Sequence, residues 1–152
     1  MNGYGWCVLR ARQPSDARSL EPDPDRRDEE AERADGVLWA DFRTWMETSG
    51  DPFIVWTLCE RNNNDRGVLT FSVSRNHRSS AVWAMLAWIA SHGPGSYGLF
   101  YVHDDEDVVR TPGKGRPTGD HSNSFRVHRL VHGVLTEMDD PFFGEIWPTL
   151  GD

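Results

Sequence analysis

Between Pro94 and Asp107 the chain passes from a turn to an apolar run to a block of acid, and that order limits where the stretch can lie in a fold. Pro94-Gly95-Ser96 is turn chemistry, because proline presets one backbone dihedral and glycine supplies the positive one. Leu99-Phe100-Tyr101-Val102 is β-prone and carries no charge on either side. Such a run predicts a strand covered on both faces, hence one in the middle of a sheet. Asp104-Asp105-Glu106-Asp107 follows where that strand should reach water. Four adjacent carboxylates repel one another, so the folded chain must keep them solvated or opposite a cation.

The remaining elements arrange themselves around this strand. Residues 4–9 alternate as a strand, with Tyr4, Trp6 and Val8 on one side and Cys7 and Leu9 on the other. Residues 13–35 differ in composition: between Glu21 and Asp35 stand eight acids and three arginines, a local charge of -5. Asp25 can cap a helix over residues 26–48, whose apolar face is Ala34, Leu38, Phe42, Trp45 and Met46. Gly36 weakens that helix or splits it. Residues 53–59 and 68–73 flank an Asn/Asp/Gly turn and predict an antiparallel hairpin, with Leu69, Phe71 and Val73 facing in. Ser79 or Ser80 can cap a second helix over residues 81–91, with Val82, Met85, Leu86 and Ile89 on one face. Gly93 would close it as a glycine cap. Residues 111–122 hold three Gly, two Pro and no large apolar residue, the composition of a flexible loop. Residues 125–131 alternate as a half-exposed strand, and residues 134–136 predict a short one after the turn at Gly133. The last sixteen residues hold five acids and no base, with Phe142, Phe143, Ile146, Trp147 and Leu150 among them. That much apolar surface predicts a tail packed on the body.

Helices separated from runs of strands define an α+β fold. The expectation is a single domain over residues 1–152, with a mainly antiparallel sheet of five or six strands and two helices in the order β-α-β-β-α-β-β-β. Within it, residues 13–35 form an acidic, partly mobile insertion.

Net charge is -8 over 152 residues. Phosphate binding needs a basic footprint, so nucleic acid is excluded as a direct partner, and a basic protein is favoured. No run approaches membrane-spanning length and no signal peptide precedes Tyr4, which points to the cytoplasm and to no membrane partner. Cys7 and Cys59 lack CxxC spacing and sit in apolar runs, so both read as buried thiols. Trp6, Trp56 and Trp83 read as core. Trp147, beside acids near the chain end, reads as an aromatic anchor for an interface with a negative rim.

Three chemical constellations compete with plainer roles. Asp104 to Asp107 could serve a divalent ion in a small metal-dependent hydrolase with His103 or His77, but the block lacks the alternate spacing and glycine of a calcium loop. His128 and His132 are four apart, a zinc spacing on a helix, whereas here the segment alternates as a strand. His77, Arg78 and Asp104 have no serine elbow, Cys-His signature or phosphate-binding loop beside them, and Asn76-His77-Arg78 reads as a turn that satisfies backbone groups. No catalytic residue and no cofactor is expected.

An ordered set of motifs carries a family resemblance. Asn76-His77-Arg78 precedes a helix; Ser96-Tyr97-Gly98-Leu99 leads into Asp104 to Asp107; Phe125-Arg126-Val127 is followed by Leu130 and Gly133; Asp140-Pro141-Phe142 and Pro148-Thr149 close the chain. Together they resemble the immunity protein 7 family, bacterial proteins encoded beside polymorphic toxins, which they neutralise by binding. The resemblance runs from residue 76 to the end, about half the chain, and the first strand with Trp6 also fits. Residues 13–35 and 111–122 look longer than the family pattern, and residues 143–147 differ from it, which implies a different cognate toxin if the tail touches it. Membership implies an α+β fold, no enzyme activity and a toxin domain as partner, with a basic nuclease groove the target that the charge suits. The toxin-binding residues expected on this reading are Asp104, Asp105, Glu106, Asp107, Asp139, Asp140 and Trp147. Oligomeric state is not legible.

Overall fold

Alternation along the strands decides which side of the sheet is buried, and Gly5 decides how closely two rings meet there. In the computed structural model, which describes residues 1–13, 24–60, 67–109 and 119–141, the elements run β1 (Asn2–Leu9), α1 (Pro24–Ser49), β2 (Ile54–Cys59), β3 (Gly67–Ser74), α2 (Ser80–His92), β4 (Tyr97–His103), β5 (Val108–Val109), β6 (Gly119–Asp120), β7 (Phe125–Val131) and β8 (Val134–Asp139). Six of the strands form one antiparallel sheet in the order β2-β3-β1-β4-β7-β8, and β5 pairs with β6 in a separate two-residue ladder. The fold is α+β in the expected element order, with the small β5–β6 ladder as the addition. β4 lies inside the sheet, between β1 and β7.

Both helices contribute to one core against one face. Leu38, Phe42 and Met46 of α1 and Val82, Met85, Leu86 and Ile89 of α2 bury against Cys7, Leu69, Phe71, Val73, Phe100 and Leu130. Phe71, Gly5 and Phe100 stand in register across three strands. A methyl group on Gly5 would lie 2.5 Å from the Phe71 ring. The absent side chain therefore lets the Phe71 and Phe100 rings approach to 5.3 Å between centroids over the β1 backbone. His132 and Gly133 both have positive φ, as a two-residue hairpin between β7 and β8 requires.

Several expectations change. Among the described residues the run in β4 is fully buried on one side only: Phe100 and Val102 are buried, Leu99 and Tyr101 are half-buried and Tyr97 is exposed. Trp6 is exposed rather than core, while Trp56 and Trp83 pack against the core partly buried. Gly36 does not split α1, because a continuous helix tolerates one glycine with open space around it. α1 begins at Pro24, which puts Asp25 inside the first turn rather than at the cap. Asp35 is buried in that helix, where it accepts from the Ala11 N–H at 2.7 Å and from Arg10 Nη1 at 2.6 Å. Ser79 sits at the start of α2 but makes no side-chain cap, and Gly93 closes that helix at φ -119 rather than in the left-handed region. Cys7 is buried, with its thiol pushed up to about 12 by desolvation, whereas Cys59 is exposed on the edge strand. The tail beyond residue 141 and most of the 111–122 loop lie outside the described residues.

Candidate functional site

The topology explains why distant polar segments meet. β1 is antiparallel to both β3 and β4, so those two run the same way, and Ser74 and His103 both lie opposite Asn2. Residues 75–78 and 104–107 therefore leave the sheet at the same end. The acidic block turns sharply there: the Asp107 N–H donates to the Asp104 carbonyl at 3.0 Å, and the Glu106 N–H to Asp104 Oδ1 at 3.2 Å.

Each acid of the block meets a cation or donor from another part of the chain. Asp104 is 3% exposed, with Arg78 Nε 3.4 Å from its Oδ2. Arg78 Nη1 stands 3.5 Å from Asp107. Glu106 faces His77 Nδ1 at 2.9 Å and accepts the Arg78 N–H at 3.0 Å. Asp105 takes the amino group of Met1 at 3.2 Å. Mutual repulsion is thus offset locally. The Met1 ammonium, by hydrogen bond and then by charge, lowers the Asp105 pKa. The hydrogen bonds from His77 and then from the Arg78 backbone lower that of Glu106. Asn76-His77-Arg78 is therefore a counter-ion segment for the block as well as a turn. The signal that could have found it was the parallel direction of β3 and β4.

Two strands away, Asp139 ends β8 at the same end of the sheet, since Val102, Arg126 and Asp139 stand in register. Arg126 pairs with Asp139 and, at 3.0 Å, with Glu137. Asp140 is 5% exposed, its N–H directed at the Phe125 carbonyl. The two acidic clusters thus share one end of the molecule. Their solvent-facing members are Asp105, Glu106 and Asp139, while Asp104 and Asp140 are turned inward. Trp147 lies outside the described residues.

The histidines do not converge. His103 Nε2 is 2.9 Å from the Ser122 carbonyl, His77 faces Glu106, and His128 is buried against Trp83 with ring centroids 4.5 Å apart. Burial is the main cause that lowers the His128 pKa. Among the described residues no group of three His, Cys, Asp or Glu side chains is set to hold a metal. None of their helices is long and apolar enough to cross a membrane.

Among the described residues, then, an α+β sheet gathers acidic side chains at one end. The chain matches the family model of immunity protein 7 over residues 56–152 and belongs to that family, which is a family of toxin-neutralising proteins rather than enzymes. Comparison with curated proteins and with solved structures finds no match. The family range takes in most of β2 and all of β3 as well as the segment that carried the resemblance.

Proposed function

We propose that this protein is a cytoplasmic antitoxin that binds the toxin domain encoded beside its gene and blocks a basic active site or substrate groove. Family membership supports a toxin as the partner. The observation that carries the rest is the gathering of Asp105, Glu106 and Asp139 at one end of a chain of net charge -8. A basic groove is steered toward such an end, and carboxylates held by a stiff turn can stand in for substrate phosphates. Asp104, Asp107 and Arg78 hold that turn in shape, while Asp105, Glu106 and Asp139 meet the partner.

The test is protection of cells that express the cognate toxin. Changing Asp105, Glu106 and Asp139 together to Asn, Gln and Asn should leave the fold intact, slow association and weaken its salt dependence. Losses of roughly 10-fold or more in affinity are expected if these charges are paired in the complex. Parental association rate and parental protection in the triple variant would overturn the charged end as a contact.

A further inference from the structure

Resting on that reading, we infer that the open face of the sheet is the surface on which the toxin seats, and that the toxin is a net-basic domain presenting an uncharged, apolar patch. The face belongs to the side chains that share a side with Trp6 in the strand registers. Among its described residues there is no Asp or Glu, and Arg129 is the single Lys or Arg, in a chain of net charge -8. Only Val8 and Val127 of this face are buried.

Part of this face is a trough of about 390 Å³. Small Thr70 and Ser72 of β3 form its floor, between Tyr4 and Trp6 of β1 and Val55 and Thr57 of β2. Tyr4 is 61% exposed and Val55 69%. The aromatic wall is already ordered: Tyr4 stacks on Tyr101 at 5.7 Å, and Trp6 meets Tyr97 edge-on at 6.2 Å. Rigid aromatics around an uncharged trough are the composition of an interface centre, where burial rather than charge holds the partner.

Charge decides between occupants. A second copy brings another -8 and is repelled at long range, whereas a basic domain is attracted. The face is also continuous with the acidic end. Asn2 and His103 close it, Asp104 follows His103, and the amino group of Met1, next to Asn2, is held by Asp105. A partner drawn to that end lands on the face beside it.

The experiment measures binding of the full chain and two variants to the purified toxin domain encoded beside the gene, by calorimetry, with sedimentation of the free proteins. Thr70→Arg places a charge on the trough floor, and Tyr4→Ala removes a wall. The expected result is a loss of roughly 30-fold or more for Thr70→Arg and of roughly 10-fold for Tyr4→Ala, with both variants folded and monomeric. If Thr70→Arg fails to fold, Tyr4→Ala at its exposed site carries the test. Parental affinity in the variants overturns the inference and leaves the toxin-binding reading standing. A parental dimer that Thr70→Arg splits also overturns it, in favour of a second copy. So does a loss of stability in Thr70→Arg that vanishes when residues 142–152 are deleted, in favour of the chain's own tail. No binding by the parent sinks the toxin-binding reading and this inference with it.

Discussion

Phe100 and Tyr101 are neighbours on β4 and live in different media. Phe100 is 1% exposed, packed on Phe71 and Trp83 under the helices, whereas Tyr101 lies half-buried on the opposite side, stacked on Tyr4. The same strands build both faces, so the difference lies in what covers them. Both described helices pack on the Phe100 side. The other face keeps aromatic side chains without charge, which maintaining solubility would not require. A large apolar residue in this sheet therefore marks stability on one face and, on the inference above, contact on the other.

The largest separation between the faces should come from Phe100→Ala. The truncation leaves a cavity beneath α2 and should lower stability by about 3–5 kcal/mol in urea unfolding. A loss below about 1 kcal/mol would place the core elsewhere. A finer comparison uses one chemical change on both faces. Val73→Thr puts a hydroxyl among buried side chains on β3 and should lower stability by about 1–3 kcal/mol. Val55→Thr makes the same change on the open side of β2 and should stay within about 0.5 kcal/mol. Equal effects would mean that Val55 is as covered as Val73. Tyr4→Ala should be smaller than the Val73 change, at about 1 kcal/mol or less, because mainly the stack on Tyr101 is lost. A melting loss matching that of Phe100→Ala would break the comparison outright.

The covered face was legible because its signal is periodic. Leu69, Phe71 and Val73 alternate, and Val82, Met85, Leu86 and Ile89 recur at helical spacing; all seven are buried. The open face is not legible in the sequence because a strand of Leu, Phe, Tyr and Val looks the same whether one side or two are covered. Nothing local tells a core tryptophan from an exposed one, so the exposure of Trp6 is not legible in the sequence. Trp39 was missed as core for a related reason: its place depends on a hydrogen bond from its Nε1 to the Leu9 carbonyl at 3.1 Å, a partner thirty residues away. The acidic block was found as a feature of composition. Its counter-ions were not, because Arg78 and the chain's own amino group reach it through strand order rather than sequence proximity.

The smallest effect belongs to the end of the sheet where the two faces meet. Asp105 and Glu106 are ionised more readily in the folded chain than in the unfolded one, because the Met1 ammonium and His77 bond to them. A carboxylate with a lowered folded pKa adds stability at pH values above its unfolded pKa. That contribution is lost as pH falls through the folded value. The loss should therefore appear in acid, below the ordinary carboxylate range, and be absent near neutrality. Both groups are solvent-facing, so screening keeps the contribution small. The check is urea unfolding of the parent and of a double variant, Asp105→Asn with Glu106→Gln, between neutrality and about pH 3. The parent should lose slightly more stability than the variant over that range, and added salt should shrink the difference. An identical acid limb in both proteins would mean that these ion pairs add nothing to the fold and leave the charges wholly available to a partner. A variant more stable than the parent at neutral pH would show that repulsion within the block outweighs its counter-ions.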